Sequence, residues 1–177
     1  DGCCFDPPSG SAGIDISQKK PEHVAQLRRM LREAGMHVVE PKGDGAFRIY
    51  GRQLEQFMRY QCGSGAHNKH LPQFVFDWPI EHQKMLFDWL MWGDGHTQNG
   101  RPINLVTVSP QLADDVQRLC LHIGIAANIA EKPAAKVLPI ICGKQVKSVR
   151  RAYDVRIVTT KLEPQVNHGH VKKQNAQ

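Results

Sequence analysis

The fold is decided by residues 86–95, which read LFDWLMWGDG. With the residues from Ile80 onward they predict a helix that is apolar on nearly every side, and such a helix is buried between two bodies. Asp94 lies at the C-terminal end of this helix, where the helix dipole disfavours a negative charge. A divalent cation would reverse that penalty, so Asp94 is a candidate metal ligand. The alternative is that Asp94 and Gly95 form only a helix-ending turn.

The Asp-Gly pair of this stretch occurs twice, since Asp1-Gly2 lies 93 residues earlier. Each copy is followed by a β-like segment that ends in serine, Ser17 or Ser109, and each serine is predicted to cap an amphipathic helix. Two further strands and another helix follow each of these helices. The repeat predicts an α+β fold of two units, residues 1–78 and 79–177, related by an approximate two-fold axis.

Two segments alternate between apolar and polar side chains, residues 46–52 and 153–157. Alternation at a period of two predicts strands with one buried face and one basic, polar face. A two-stranded ribbon fits the major groove of DNA, where its exposed side chains can read base edges. The alternative for each such side chain is a solvated strand face. The predicted DNA contacts are Arg48, Tyr50, Arg52, Arg101 and Arg156.

The composition favours a nucleic-acid partner. The chain has 177 residues and a net charge of +6, with a pI near 9.2, which is the sign expected for binding a polyanion. No apolar run is long enough to span a membrane, and the acidic N-terminus is unlike a signal peptide. Five irregularly spaced cysteines favour a reducing compartment, so a cytoplasmic protein is expected. The start at Asp1, without a methionine, suggests a fragment or an excised segment.

The order of these elements resembles that of the LAGLIDADG homing endonucleases, in particular those embedded in inteins. An apolar helix ending in Gly-Asp-Gly, a strand pair, a serine-capped helix and a second strand pair carry the resemblance. It implies a site-specific endonuclease that cleaves double-stranded DNA with Mg²⁺ as cofactor. The segments that carry it are residues 16–19, 68–72, 86–95, 108–124, 153–157 and 166–167.

Phosphodiester hydrolysis by such a protein requires divalent cations held by carboxylates. The two repeated units supply one candidate each, Asp1 and Asp94. Gly2 and Gly95 would let the backbone turn sharply and bring a carbonyl oxygen to the metal.

The resemblance also implies roles for two lysines and a glutamine. Lys69 precedes Leu71-Pro72 as the catalytic-site lysine of the family does, and the alternative is a solvated loop lysine. For the second unit, Lys172 is preferred to Lys161 as the counterpart. Gln18 would contact water or DNA near the scissile phosphate, or else lie in the first turn of its helix.

The first signature helix is represented only by its last two residues, Asp1-Gly2. With that helix present, the chain would be a monomer whose two units imitate a dimer. Without it, Leu86 and Leu90 would lose a packing partner and the fragment would associate with itself. The alternatives to an endonuclease are a degenerate relative that binds DNA or intron RNA without cleavage and an inactive truncated remnant.

Overall fold

The structure is a computed structural model that describes residues 2–8, 10–40, 45–134, 140–141, 144–145 and 151–158. The elements of the first unit are, in order, β1 (Gly2–Phe5), β2 (Gly13–Ser17), α1 (Pro21–Glu33), β3 (Val38–Val39), β4 (Ala46–Tyr50) and α2 (Arg52–Cys62). A 3-10 helix at Gln73–Asp77 follows. The remaining elements are α3 (Ile80–Gly93), β5 (Gly95–Gln98), β6 (Arg101–Thr107), α4 (Pro110–His122), β7 (Ala126–Lys132), β8 (Ile140–Ile141), β9 (Lys144–Gln145) and β10 (Ala152–Val158).

The two four-stranded sheets have the same topology, which confirms the α+β class and the repeat. The strand order is β1-β2-β4-β3 in the first unit and β5-β6-β10-β7 in the second, with antiparallel pairing throughout. In each sheet the strand that follows α1 or α4 (β3 or β7) lies at an edge. The last strand (β4 or β10) lies between that strand and the first strand pair. Among the strands that the structure describes, the short β8 and β9 pair with each other.

The helices that follow the two strand pairs begin differently. Ser109 caps α4 as predicted, because its Oγ accepts a hydrogen bond of 3.1 Å from the main-chain N–H three residues later. The prediction for Ser17 is wrong, since this residue ends β2 and α1 begins only at Pro21. Between them Gln18 folds back, and its Oε1 accepts hydrogen bonds from the next two main-chain N–H groups at 3.0 and 3.1 Å.

Helix α3 is buried along one side and not on all sides as predicted. Leu86 and Leu90 are partly buried against the core, whereas Met85 is 53% exposed. An open apolar hollow of about 320 Å³ separates this part of α3 from Met30 of α1. In the described ranges no helix has the length and apolar character needed to cross a membrane.

The fully buried side of α3 consists of three residues at a spacing of four, Gln83, Phe87 and Met91.

The main hydrophobic core lies in the second unit, where α3 and α4 pack on one face of the sheet that contains β6 and β10. Residues 71–76 also pack into this core, although they precede the boundary predicted at residue 78. The first unit is packed less completely, and no residue of α1 is fully buried. The most deeply buried core side chains are Leu105, Val116, Leu119, Cys120 and Val155.

Candidate functional site

The end of α3 and the loop before the 3-10 helix bring two predicted site residues together. Lys69 Nζ lies 4.0 Å from Asp94 Oδ2, and the two side chains are 35% and 41% exposed. Lys69 comes from the first unit, whereas Asp94 begins the second copy of the Asp-Gly pair. An exposed ion pair at this distance contributes little to stability. Both groups therefore remain accessible to a ligand from solvent.

The segment that carries Lys69 is held by α4. The main-chain carbonyl of Lys69 accepts a hydrogen bond of 2.6 Å from Ser109 Oγ, and the N–H of Leu71 donates one of 2.9 Å to Asp115 Oδ2. Sequence reasoning missed Asp115 altogether and missed this second bond of Ser109. A signal for Asp115 was present, because its spacing places a carboxylate on the apolar face of α4, next to Val116.

Gly95 is required where α3 turns into β5. A Cβ atom at this position would lie 2.5 Å from Met91 Cε, 2.6 Å from Met91 Cα and 2.7 Å from the Met91 carbonyl oxygen. Main-chain atoms cannot give way, so only glycine allows this close approach. Gly2 differs, since a Cβ there would meet only the Asp15 carbonyl oxygen at 3.4 Å, an ordinary contact. A close approach of the main chain is therefore present at Gly95 and not at Gly2, and metal binding through their carbonyl oxygens stays a prediction.

The donor set at Asp94 suits a hard divalent cation, which prefers oxygen ligands. The Asp94 carboxylate stands at the C-terminal end of α3, where main-chain carbonyl oxygens of the last turn also point, and the close turn at Gly95 keeps the main chain nearby. Within the described ranges no three His, Cys, Asp or Glu side chains cluster as a metal site. The second predicted ligand, Asp1, lies outside the described residues, as do Lys161 and Lys172.

In the first unit two of the predicted DNA contacts, Arg48 and Arg52, are paired with carboxylates. Arg48 donates from Nε and Nη2 to the two carboxylate oxygens of Asp15, both at 2.7 Å, and these bonds raise the pKa of the Arg48 guanidinium. Arg52 is not a strand residue as predicted, because β4 ends at Tyr50 and Arg52 begins α2; its Nη1 donates to Asp6 Oδ2 at 3.1 Å. Tyr50 is half-exposed, with its ring edge-on to Phe5. The carboxylates therefore fix the positions of these arginine side chains and neutralise part of their positive charge.

In the second sheet a polar row crosses the face opposite the core. The register places His96, Asn104, Arg156 and Asn128 side by side on four adjacent strands. The Arg156 side chain is 61% exposed, and its Nε donates to Asp154 Oδ2 at 3.1 Å. Arg101 is exposed at the first residue of β6. The alternation predicted for β10 is present, and it gives this sheet a face on which polar side chains can reach a partner.

Gln18 lies in the loop between β2 and α1 and not in the first helical turn. Its side-chain oxygen is used by the two main-chain N–H groups that follow. The contact with water or DNA expected for Gln18 stays a prediction.

Residues 83–161 match the sequence profile described as the LAGLIDADG-like domain. A structure reported for mesophilic variants of the homing endonuclease I-DmoI covers 89% of this chain and 80% of its own, with 13% sequence identity and a TM-score of 0.52. A structure of I-DmoI in complex with DNA and Mn covers 89% and 81%, with 13% identity and a TM-score of 0.54. The chain thus has the fold of these LAGLIDADG structures, and residues 83–161 are similar to the LAGLIDADG-like domain, in line with the sequence resemblance.

A curated relative from Chlamydomonas moewusii is described as an ATP-dependent Clp protease proteolytic subunit. It is 27% identical over 117 residues, which are 66% of this chain. The matched region covers only 11% of that relative. The similarity therefore concerns a small segment of a much longer protein.

Proposed function

We propose that the chain is a site-specific endonuclease for double-stranded DNA that hydrolyses phosphodiester bonds with a divalent cation, Mg²⁺. The observation that carries this proposal is the meeting of Lys69 and Asp94, one from each unit, beside a sheet with a polar open face. The structural similarity to I-DmoI, which was solved with DNA and Mn, supports the substrate class and the need for a metal.

Each residue of the site has a role that follows from its position. Asp94, with main-chain oxygens near Gly95 and with Asp1 as the equivalent carboxylate of the first unit, would hold the cation. When bound, the cation would neutralise charge on the phosphate and activate water for attack. Lys69 places a positive charge 4.0 Å from the Asp94 carboxylate, where it can contact a phosphate oxygen or the attacking water.

The sheets would hold the DNA. Arg101 and Arg156 are exposed on the second sheet and can reach phosphates or base edges. Arg48 and Arg52 are already paired with carboxylates, so their contribution depends on exchanging those partners for phosphate. Tyr50, the last residue of β4, would be the third DNA contact of the first unit.

The chain would belong to a mobile element inserted in a host protein, such as an intein. The relative from Chlamydomonas moewusii supports this proposal, because a similar segment occupies only 11% of a protein described by an unrelated activity. A mobile element inserted in a host gene would appear in the host protein as a segment of this kind, much shorter than the protein around it.

The central test replaces Asp94 by asparagine in the full-length gene product. Asp94→Asn keeps the size of the side chain but removes the charge that holds the cation, so we expect cleavage to be lost while DNA binding persists. The substrate is a plasmid that carries the host gene joined without the inserted segment, incubated with Mg²⁺, with Mn²⁺ and with chelator. Linear product is measured on gels, and binding is measured at several salt concentrations.

Asp88→Asn is the matched control, since Asp88 is exposed on the same helix. It should cleave like the wild type. Cleavage by Asp94→Asn at the wild-type rate would refute the metal role of Asp94. A wild type that binds this plasmid but cuts it with neither metal would instead favour a binding protein without nuclease activity. Affinity that does not fall with salt would contradict the basic sheet faces as the binding surface.

A further inference from the structure

Asp115 is a buried carboxylate outside the residues to which the proposed function assigns a role. It lies in α4 and is 3% exposed. Its Oδ1 accepts a hydrogen bond of 2.9 Å from Gln111 Nε2, and its Oδ2 accepts one of 2.9 Å from the N–H of Leu71. Both donors are neutral. A buried carboxylate costs free energy unless it is hydrogen-bonded, and without Asp115 the buried N–H of Leu71 would lose its acceptor.

The bond to Leu71 fixes the backbone two residues after Lys69. The carbonyl of Lys69 itself is fixed by Ser109, whose Oγ is fully buried and also caps α4. The N-cap and a residue of α4 therefore hold the main chain at two points just C-terminal to the Cα atom of Lys69, its own carbonyl and the N–H of Leu71. That side chain then reaches Asp94 at 4.0 Å.

The residues of α1 that correspond to these two anchors are of other types. Counted back from the glycine that follows each helix, Asp115 corresponds to Gln26 and Ser109 corresponds to Lys20. Lys20 precedes α1 without a side-chain capping bond. The pair of anchors is thus a property of α4 and not of the repeat.

We propose that Asp115 is a positioning residue that sets the distance between Lys69 and Asp94 by holding the Leu71 main chain against α4. This inference rests on the proposed function, because positioning affects cleavage only if Lys69 and Asp94 take part in it. The geometry it describes is nevertheless measurable without DNA.

The test compares Asp115→Leu with Asp115→Asn and with Asp114→Leu. Leucine has the same branching as aspartate and suits the apolar surroundings, but it cannot accept the Leu71 hydrogen bond. Asparagine retains an acceptor oxygen. Asp114 is the adjacent, exposed carboxylate of the same helix and serves as the matched control.

The first readout is cross-linking of Lys69 to Asp94 by a water-soluble carbodiimide, which joins amine and carboxylate as an amide and is itself converted to the urea. Mass spectrometry of peptides quantifies the product. We expect Asp115→Leu to lose most of this cross-link while it remains folded, although its thermal stability should fall because the buried Leu71 N–H has lost its acceptor. Asp115→Asn should retain it, and Asp114→Leu should match the wild type.

The second readout is single-turnover cleavage at saturating protein. A displacement of about 1 Å costs about a hundredfold in rate for oriented groups, so the rate constant of Asp115→Leu should fall by about that factor while its Kd for DNA is unchanged. Equal cross-linking and equal rates in Asp115→Leu and Asp114→Leu would overturn the proposal. Failure of the proposed function would look different, since the wild type would then not cleave although the cross-link still depended on Asp115.

If Asp115→Leu does not fold, Gln111→Ala provides the second variant. Gln111 is exposed, and its removal frees Asp115 Oδ1 without changing the core. Faster hydrogen exchange at the Leu71 N–H, together with a lower cross-link yield, is the expected result. An unchanged yield alongside faster exchange would overturn the proposal.

Discussion

Asp154 is the most heavily paired carboxylate of the second sheet. It accepts hydrogen bonds from Asn104 Nδ2 and Arg156 Nε, and Lys132 Nζ lies 3.0 Å from its Oδ2. Burial alone would raise the pKa of Asp154, but these three partners lower it, and the pKa lies below the ordinary value of 3.8. Asp154 thus carries a negative charge that orients two cations on the polar face.

Replacing Asp154 by asparagine should destabilise the protein near neutral pH. A hydrogen bond that involves a charged group contributes about 1–3 kcal/mol, so we expect a loss of that order in the free energy of unfolding. Because the folded state has the lower pKa, this contribution is fully present above pH 3.8 and disappears as the pH falls through the folded-state value. Urea unfolding of wild type and variant at pH 7 and at pH 3 measures the difference.

The two proteins should converge in stability at acid pH. Glu131→Gln is a control, since Glu131 pairs with Arg151 on the exposed surface and should change stability little at either pH. A loss that is the same at pH 3 and pH 7 would contradict the assignment of the effect to the charge of Asp154.

Residue types at the site were predictable, but most of their partners were not. The resemblance and the repeat predicted Lys69 and Asp94 as two independent site residues. That their side chains lie 4.0 Å apart is known only from the structure. Asp154 stands on the polar face as the alternation predicts. Its burial was not predictable from its own strand. The side chains around it include Asn104 of β6 and Lys132 of β7, and these strands become neighbours of β10 only through the topology of the sheet.

At the scale of elements, the junction between α3 and β5 depends on a single glycine. We expect Gly95→Ala to destabilise the protein by about 1–3 kcal/mol, as overpacking does, because main-chain atoms of Met91 lie within 2.7 Å of the added methyl group. Thermal unfolding followed by circular dichroism measures the change. The proposed nuclease activity should fall as well, since Asp94 is the adjacent residue.

Gly93→Ala is the control for this prediction. Gly93 ends α3, and a Cβ atom there would meet nothing within 4 Å. We expect it to be neutral or to stabilise by up to about 1 kcal/mol, through the lower entropy of the unfolded chain. If Gly95→Ala were as stable as Gly93→Ala, the close approach at residue 95 would not be real.

The order of strands and helices from β1 to β7 followed from the sequence, but one helix start and the strands β8 and β9 did not, and the helix predicted after the last strand lies outside the described residues. Ser17 and Ser109 stand at similar points of the repeat, yet only Ser109 is an N-cap. The difference has a local cause, because each helix begins at a proline, Pro21 or Pro110, and the cap is the residue directly before it. That residue is serine in one unit and lysine in the other.

At the scale of the molecule, stability is unevenly divided between the two units. The side chains of Val116, Leu119 and Cys120 in α4 are completely buried, whereas α1 has no fully buried residue. We expect the amide hydrogens of α1 to exchange by local opening, well before those of α4, which require the second unit to unfold. Hydrogen exchange read by NMR or mass spectrometry tests this order.

Denaturant gives the control for that prediction. The exchange of α4 should accelerate with low concentrations of urea, since global opening exposes a large surface, and that of α1 should hardly change. Equal protection in α1 and α4 would show that the two units unfold together, against the distribution of buried side chains.

The hydrogen bonds from α4 to residues 69 and 71 also decide how this protein can be recombined with a relative. A hybrid joined at residue 78 would take Lys69 from one parent and its anchors, Ser109 and Asp115, from the other. A crossover placed before Asn68 would inherit the lysine and both anchors together. The segment to be exchanged as a whole therefore begins about ten residues ahead of the repeat boundary, with the lysine loop and both of its anchors on the same side of the junction.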